Sequence, residues 1–293
     1  MTIIAILLAV ALCHFVRELS QVRRHQWLAG WIRFAEDAFA KLPGWSDLTG
    51  FIIILFLPLL ALGLVNQMVF HALGNLGAFL LAIAVLVYTF GVRDIDTQVA
   101  EIIRAPDEES RQEALRDLLR GEVPEDVDTC RAQTVEAVFS ESLHRWFGVI
   151  FWFAVLGVVG ALMYRITDWL AGEECGLSSE QKQMFTRARQ VLDWPAAQLM
   201  TLSLAIATDF DSVFIAWKRY HDEQGHGLFE GNNGFLLASA RQIVLSGHAA
   251  QDGYADRLDG PLAALKQSMD LVWRVLGVWM TTLALLLLID VIT

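Results

Sequence analysis

The side chains that could do chemistry gather on either side of one uncharged stretch. Glu136, Glu141, His144 and Arg145 stand upstream of Phe147–Met163, and Tyr164, Arg165 and Asp168 follow it directly. Carboxylates, guanidinium groups, an imidazole and a phenol together can hold an anionic ligand and move protons on it. On a helix that continues past Met163, Arg165 and Asp168 are three residues apart and can pair, with Tyr164 on their face. Two readings fit. The simpler has these residues anchoring a helix end at the water–lipid boundary, Arg165 reaching lipid phosphates. The other makes them a pocket at the membrane rim that recognises an anionic ligand.

Outside that cluster the strong signatures of chemistry are missing from the sequence. It contains no GxxxxGK[ST], HExxH or GxSxG, and no GxGxxG following a strand. His221 and His226 form the one close histidine pair, at a spacing that does not put both rings on one helical face. Cys13, Cys130 and Cys175 are an odd number, far apart and without a CxxC, which excludes both a disulfide framework and a metal-ligand pattern. No metal and no cofactor is therefore expected. The stretch His221–Gly234 is rich in Gly and Asn and reads as a loop.

The elements that must position these residues are membrane helices. Of 293 residues, 55% are hydrophobic and 19% charged, against about 45–50% and 25% in soluble domains. The net charge of −11 excludes a nucleic-acid surface, which needs a basic excess. A crossing helix needs about 20 mostly apolar residues, and four runs approach or meet that length: Phe51–Phe70, Leu76–Val92, Phe147–Met163 and Val275–Ile292. The last contains only Asp290, near its end. Lipid offers no partner for backbone N–H and C=O groups, so these runs must be helical. Two weaker runs, Met1–Val16 and Trp194–Trp217, either cross or lie at the interface. Met1–Val16 lacks the basic start and small-residue cleavage pattern of a secretory signal and reads as a retained anchor or half-inserted helix. The fold class expected is all-α: a polytopic integral membrane helical bundle whose main partner is the lipid bilayer.

Within one membrane domain, 1–293, residues 51–92 form a helical hairpin and 93–146 an acidic helical insertion. Residues 164–274 mix interfacial helices with the Gly/Asn loop, and 275–292 make the last span. The arginines flanking the hairpin put both its flanks, 93–146 included, in the cytoplasm. If Phe147–Met163 crosses fully, Arg165, Lys182, Arg187 and Arg189 then lie outside, against the positive-inside rule; a re-entrant path or an extra partial span would remove the conflict. In the insertion, Asp107, Glu108 and Glu109 after Pro106 start a helix with an apolar stripe of Leu115, Leu118 and Leu119, and Gly121 is placed to end it. A second helix after Pro124 carries Val135, Val138, Phe139 and Ser142 on one face. Mixed charge on these faces is that of a solvated two-helix cap. Gly157 and Ala161, with Gly148 and Gly160 nearby, form a small-residue surface for helix packing.

The runs FWFAVLGVVGALMYRITDWL (Phe151–Leu170) and VLDW (Val191–Trp194), with the N-terminal HQWLAGWIRFAE, resemble the AmpE family. The likeness extends over nearly the whole chain through order and spacing rather than one motif. It implies a multi-pass protein of the bacterial inner membrane. The role implied is that of a sensor or signalling modulator linking cell-wall recycling to β-lactamase induction, and hence to antibiotic resistance. The partners implied are a cell-wall-derived small molecule and a functional link to an AmpD-like amidase. AmpE is in turn similar to the CbiB/CobD membrane enzymes, which attach an aminopropanol unit to a corrinoid carboxylate. Aligned on Phe151-Trp152, the chain keeps Val135, Glu136, Gly160, Ala161, Leu162, Tyr164 and Arg165 of that family's pattern. It has Ser140-Glu141 for Glu-Asn, His144-Arg145 for Asp-Gly, Asp168 for an Asn and Gln198 for an Arg. These replacements predict loss of corrinoid coupling, leaving a non-catalytic role or an amide-forming activity on another substrate.

Overall fold

The computed structural model describes residues 2–15, 26–90, 95–172, 176–224, 232–246 and 260–292. All regular structure among them is helical: α1 (Thr2–Phe15), α2 (Gln26–Phe39), α3 (Leu48–Thr89), α4 (Ile95–Arg104), α5 (Glu108–Leu119), α6 (Val127–Ser142), a π-turn (Leu143–Phe147), α7 (Gly148–Gly172), α8 (Ser179–Ala207), α9 (Phe210–Gln224), α10 (Gly234–Leu245) and α11 (Pro261–Ile292). Three stretches are long and apolar enough to cross a bilayer: Leu48–Thr89, Val127–Gly172 and Pro261–Leu286. The chain divides into two compact units, one of residues 1–92 and 148–193, the other of 93–147 and 194–293.

In the first unit α3 and α7 are each broken by one glycine. At 42 residues α3 would extend about 63 Å if straight, twice the hydrocarbon thickness. Gly74 bends it, at φ 64° and ψ −153°. Gly157 bends α7 with nearly the same geometry, φ 64° and ψ −148°, a conformation open essentially to glycine alone. Both corners read Leu-Gly-x-x-Gly, at Leu73–Gly77 and Leu156–Gly160, and the arms that follow, 75–89 and 158–172, are equally long. The second glycine gives the returning arm room. A methyl group on Gly77 would lie 3.0 Å from Val69 Cγ1, and one on Gly160 would strike the Trp152 carbonyl. Residues eight apart on a straight helix are about 12 Å apart, so the chain has folded back on itself.

The reversal at Gly157 corrects the expectation of a single crossing at Phe147–Met163. A methyl group on Gly148 would collide with the Tyr164 ring, yet sixteen residues of straight helix would hold the two about 24 Å apart. Residue 164 thus returns to the level of residue 148. Val159, near the corner, meets α3 at Gly63, eleven residues short of α3's own corner at Gly74. That difference is about 16 Å of helix, so the second hairpin is the shallower. A run that doubles back returns Tyr164 and Arg165 to the end of the hairpin where Gly148 lies. The small-residue surface serves this hairpin: Gly157 makes the corner, while Gly148 and Gly160 accept the opposite arm. Leu162, Ile166 and Leu170 of that arm share a core with Leu28 and Ile32 of α2, Ile54 and Leu59 of α3, and Phe185 of α8.

In the second unit, α6 packs against α10 and α11, and α4 and α5 pack on each other and on α6. Asp107 caps α5 by accepting the Ser110 N–H at 2.8 Å, and that bond holds its carboxyl below the usual carboxylate range. Leu115 and Leu118 are buried. The helix ends on Arg120 in the left-handed conformation, one residue before the glycine expected to stop it. On α6, Val135, Val138, Phe139 and Ser142 are all buried, as their spacing predicts. The run Trp194–Trp217 is divided at Thr208–Asp209, where α8 gives way to α9. Of the expected loop His221–Gly234, residues 221–224 complete α9, and 225–231 lie outside the described residues together with His226.

Candidate functional site

The residues singled out by type and spacing fall into two ion clusters, one in each unit. In the first unit the cluster forms on the returning arm of α7, facing the end of α3 and the middle of α8. Tyr164 is fully buried and its hydroxyl donates to Asp193 Oδ1 at 2.6 Å. The ring rests on Gly148, where no larger residue fits. Trp152 on the opposite arm donates to the Leu192 carbonyl at 3.0 Å, fixing the adjacent turn of α8. Arg165 is 5% exposed. Its Nε donates to the carbonyl of Thr89, the last residue of α3, where helical carbonyls lack partners and the helix dipole is negative. One turn on, Arg165 Nη1 meets Asp168 Oδ2 at 2.9 Å. Arg189 of α8 approaches the other oxygen of the same carboxylate at 3.7 Å.

Two guanidinium groups thus converge on one carboxylate beside a buried phenol–carboxylate pair. Charge this deep in an apolar hairpin is costly, and such groups persist where they pair and serve a site. An incoming carboxylate can replace Asp168 between Arg165 and Arg189, because it presents the same two oxygens to the same donors. The Tyr164–Asp193 pair supplies a proton donor and an acceptor alongside.

In the second unit the centre is Glu141, 6% exposed. Arg145 Nη2 and Arg120 Nη2 each reach one of its oxygens at 2.7 Å. Arg145 also donates to Gln98 Oε1 at 3.1 Å, and the Gln98 amide donates to Asp117 at 3.3 Å. Arg145 lies in the π-turn, an extra-residue bulge of the kind that often marks a functional position, and His144 stands half-buried beside it. Glu136 takes a different partner, Arg241 on α10 at 3.2 Å, and is only partly buried. Spacing therefore brought together Tyr164, Arg165 and Asp168, and separately Glu141 and Arg145, while Glu136 belongs to neither network.

Sequence reasoning missed Thr89, Arg189 and Asp193 in the first cluster and Gln98, Asp117 and Arg120 in the second. Asp193 had a signal: an acid between Leu192 and Trp194 at the head of an apolar run is out of place unless paired. Among the described residues, no group of His, Cys, Asp and Glu is arranged to hold a metal ion.

A profile of the CobD/Cbib protein family matches residues 3–257, a range that includes both ion clusters and both glycine corners. No curated protein and no solved structure matches the chain. Apolar helices of crossing length, and a profile match over most of the sequence, make this chain a multi-pass membrane protein of the CobD/CbiB family.

Proposed function

We propose that the chain is a membrane-embedded protein of the amide-forming CobD/CbiB type, acting on a carboxylate-bearing small molecule other than a corrinoid. The observation that carries this is the buried network of Tyr164, Arg165, Asp168, Arg189 and Asp193 inside the region matched to the family. Arg165 and Arg189 hold the substrate carboxylate, Asp168 keeps the two cations in place before it arrives, and Tyr164 with Asp193 places a proton donor and an acceptor beside it. The test is to incubate the purified protein with a cell extract and identify retained small molecules by mass spectrometry. Carboxylates retained by the parent and lost in Arg189→Ala support the reading. Equal retention by both proteins removes it.

A second reading has its own observation. Where the family pattern has Asn and Asp-Gly, Glu141 and His144-Arg145 stand, and Glu141 is closed between Arg120 and Arg145. An ion pair in that place suits a non-catalytic protein, such as an AmpE-like modulator of β-lactamase induction in the bacterial inner membrane, responding to a cell-wall-derived molecule. Unchanged induction in a deletion strain across several inducers would sink that role.

A further inference from the structure

The two cations on Glu141 are held very differently. Arg145 is largely buried and has two partners, Glu141 Oε2 at 2.7 Å and Gln98 Oε1 at 3.1 Å. Arg120 meets Glu141 Oε1 at 2.7 Å, but its side chain is 65% exposed while the carboxylate is buried. Water competes for a cation in that position, so the pair adds little net stability. Arg120 is the cation that can leave.

The backbone under Arg120 gives it a way to do so. At φ 53° and ψ 33° it is the one non-glycine residue with positive φ among the described residues, a region that crowds the Cβ of an L-residue. Helices usually end with glycine there, and a glycine follows at once. Gly121 donates its N–H to the Arg116 carbonyl at 3.3 Å in the same helix end. If α5 runs one residue further, Gly121 takes the left-handed position and Arg120 becomes ordinary helix. Its φ then moves from 53° to about −63°, which swings the side chain off its present line to Glu141.

Withdrawal of Arg120 leaves a buried carboxylate with one oxygen on Arg145 and the other open. The Gln98 amide donates to Asp117 at 3.3 Å, so among these groups Glu141 and Asp117 outweigh Arg145, and the place attracts a cation. One open oxygen is too few for a divalent metal, which takes about six oxygen ligands. It suits an ammonium group, a compact charge with three N–H donors. We infer that Glu141 is a binding site for a primary ammonium compound, with Arg120 as its resident occupant, displaced when α5 ends on Gly121 instead. Naming that compound as the amine of the reaction rests on the amide-forming reading; the site itself rests on the ion pairs of this unit.

The test titrates the full-length protein in detergent with n-propylammonium chloride and follows thermal unfolding. Tetramethylammonium chloride, which has the charge but no N–H, is the control at equal ionic strength. A ligand bound to the folded protein raises the unfolding midpoint according to its occupancy, and propylammonium should do so saturably. Arg120→Gln removes the competing guanidinium and should lower the half-saturating concentration about fivefold, the weight of one exposed ion pair. Gly121→Ala is the reverse probe. A methyl group there meets nothing nearer than the Leu119 carbonyl oxygen at 3.9 Å, so the observed helix end tolerates it. Alanine resists the left-handed position, however, and should raise the half-saturating concentration about fivefold. Equal half-saturation in the parent and Arg120→Gln, or equal effects of the two salts, overturns the assignment. Propylammonium binding to Gly121→Ala as tightly as to the parent overturns the displacement of Arg120 by the shifted helix end. Both variants alter exposed positions and should fold as the parent does. Carboxylate retention lost in Arg189→Ala is read on the other unit, so the two readings fail separately.

Discussion

Gly157→Ala tests the doubled-back hairpin at one atom. Nothing lies within 4 Å of the position a methyl group would take there, so its effect comes from the backbone alone. At φ 64° and ψ −148° an L-residue is strained by about 1–3 kcal/mol. Gly277→Ala in α11 is the control, again with open space around the new methyl group but inside a regular helix. There alanine should stabilise by about 0.5–1 kcal/mol. The same chemical change thus has opposite signs at two positions. Thermal unfolding in one detergent reads it as a fall in midpoint for Gly157→Ala and a small rise for Gly277→Ala, at about 2–4 °C per kcal/mol for a chain of this class. A single cysteine in place of Lys182, labelled from each side of sealed vesicles, reports the path directly. It should label from the side that holds the N-terminal end of α3. Labelling only from the opposite side, with Gly157→Ala as stable as Gly277→Ala, would mean that the run crosses as a straight helix.

Three further outcomes follow from the packing and the charges. Gly148→Ala forces a methyl group into the Tyr164 ring, an overpacking cost of about 1–3 kcal/mol; an unchanged unfolding temperature would show that the ring does not rest there. Glu141→Gln removes the charge shared by Arg120 and Arg145 and should cost about 3 kcal/mol, the low end for a broken buried pair, because Arg145 keeps its bond to Gln98 and Arg120 is mostly exposed. An unfolding temperature within about 2 °C of the parent would count against it. Asp107 titrates below the usual carboxylate range because the Ser110 N–H bonds to it. Its contribution to α5 is therefore present above the ordinary Asp value and is lost as pH falls through the lowered one. Protection of the Ser110 amide, measured against its intrinsic exchange rate at each pH, should fall over that range, and in Asp107→Asn that fall should disappear.

Much of the fold can be read from the sequence because lipid makes the rules strict. Uncharged stretches had to be helical, and the α5 and α6 faces followed from the spacing of Leu115, Leu118, Val135, Val138 and Phe139. Local signals failed where one residue changes the direction of the chain. Gly157 within LGVVG looks like any small residue made for packing, and only its backbone angles, with Gly148 set under Tyr164, show that the run turns back. The same holds for Trp194–Trp217, whose composition suits a span and whose Thr208–Asp209 break instead produces two helices. Helix α4, the short N-terminal piece of the acidic segment, gave too brief a pattern to be expected. Of the α7 cluster, the half on one helix was legible because three- and four-residue spacings fix a face. Thr89, Arg189 and Asp193 arrive through tertiary folding, and no spacing rule links position 165 to position 89.

We propose that the guanidinium groups around Asp168 take a carboxylate substrate. Untargeted metabolite profiles of cells lacking the protein, cells carrying the parent, and cells carrying a folded Arg165→Gln variant address it most directly. The expected result is an acidic metabolite that accumulates without the protein, together with an amide product that disappears, and an Arg165→Gln profile matching the deletion. An Arg165→Gln profile matching the parent, with the variant present in the membrane at the parent level, would contradict the claim.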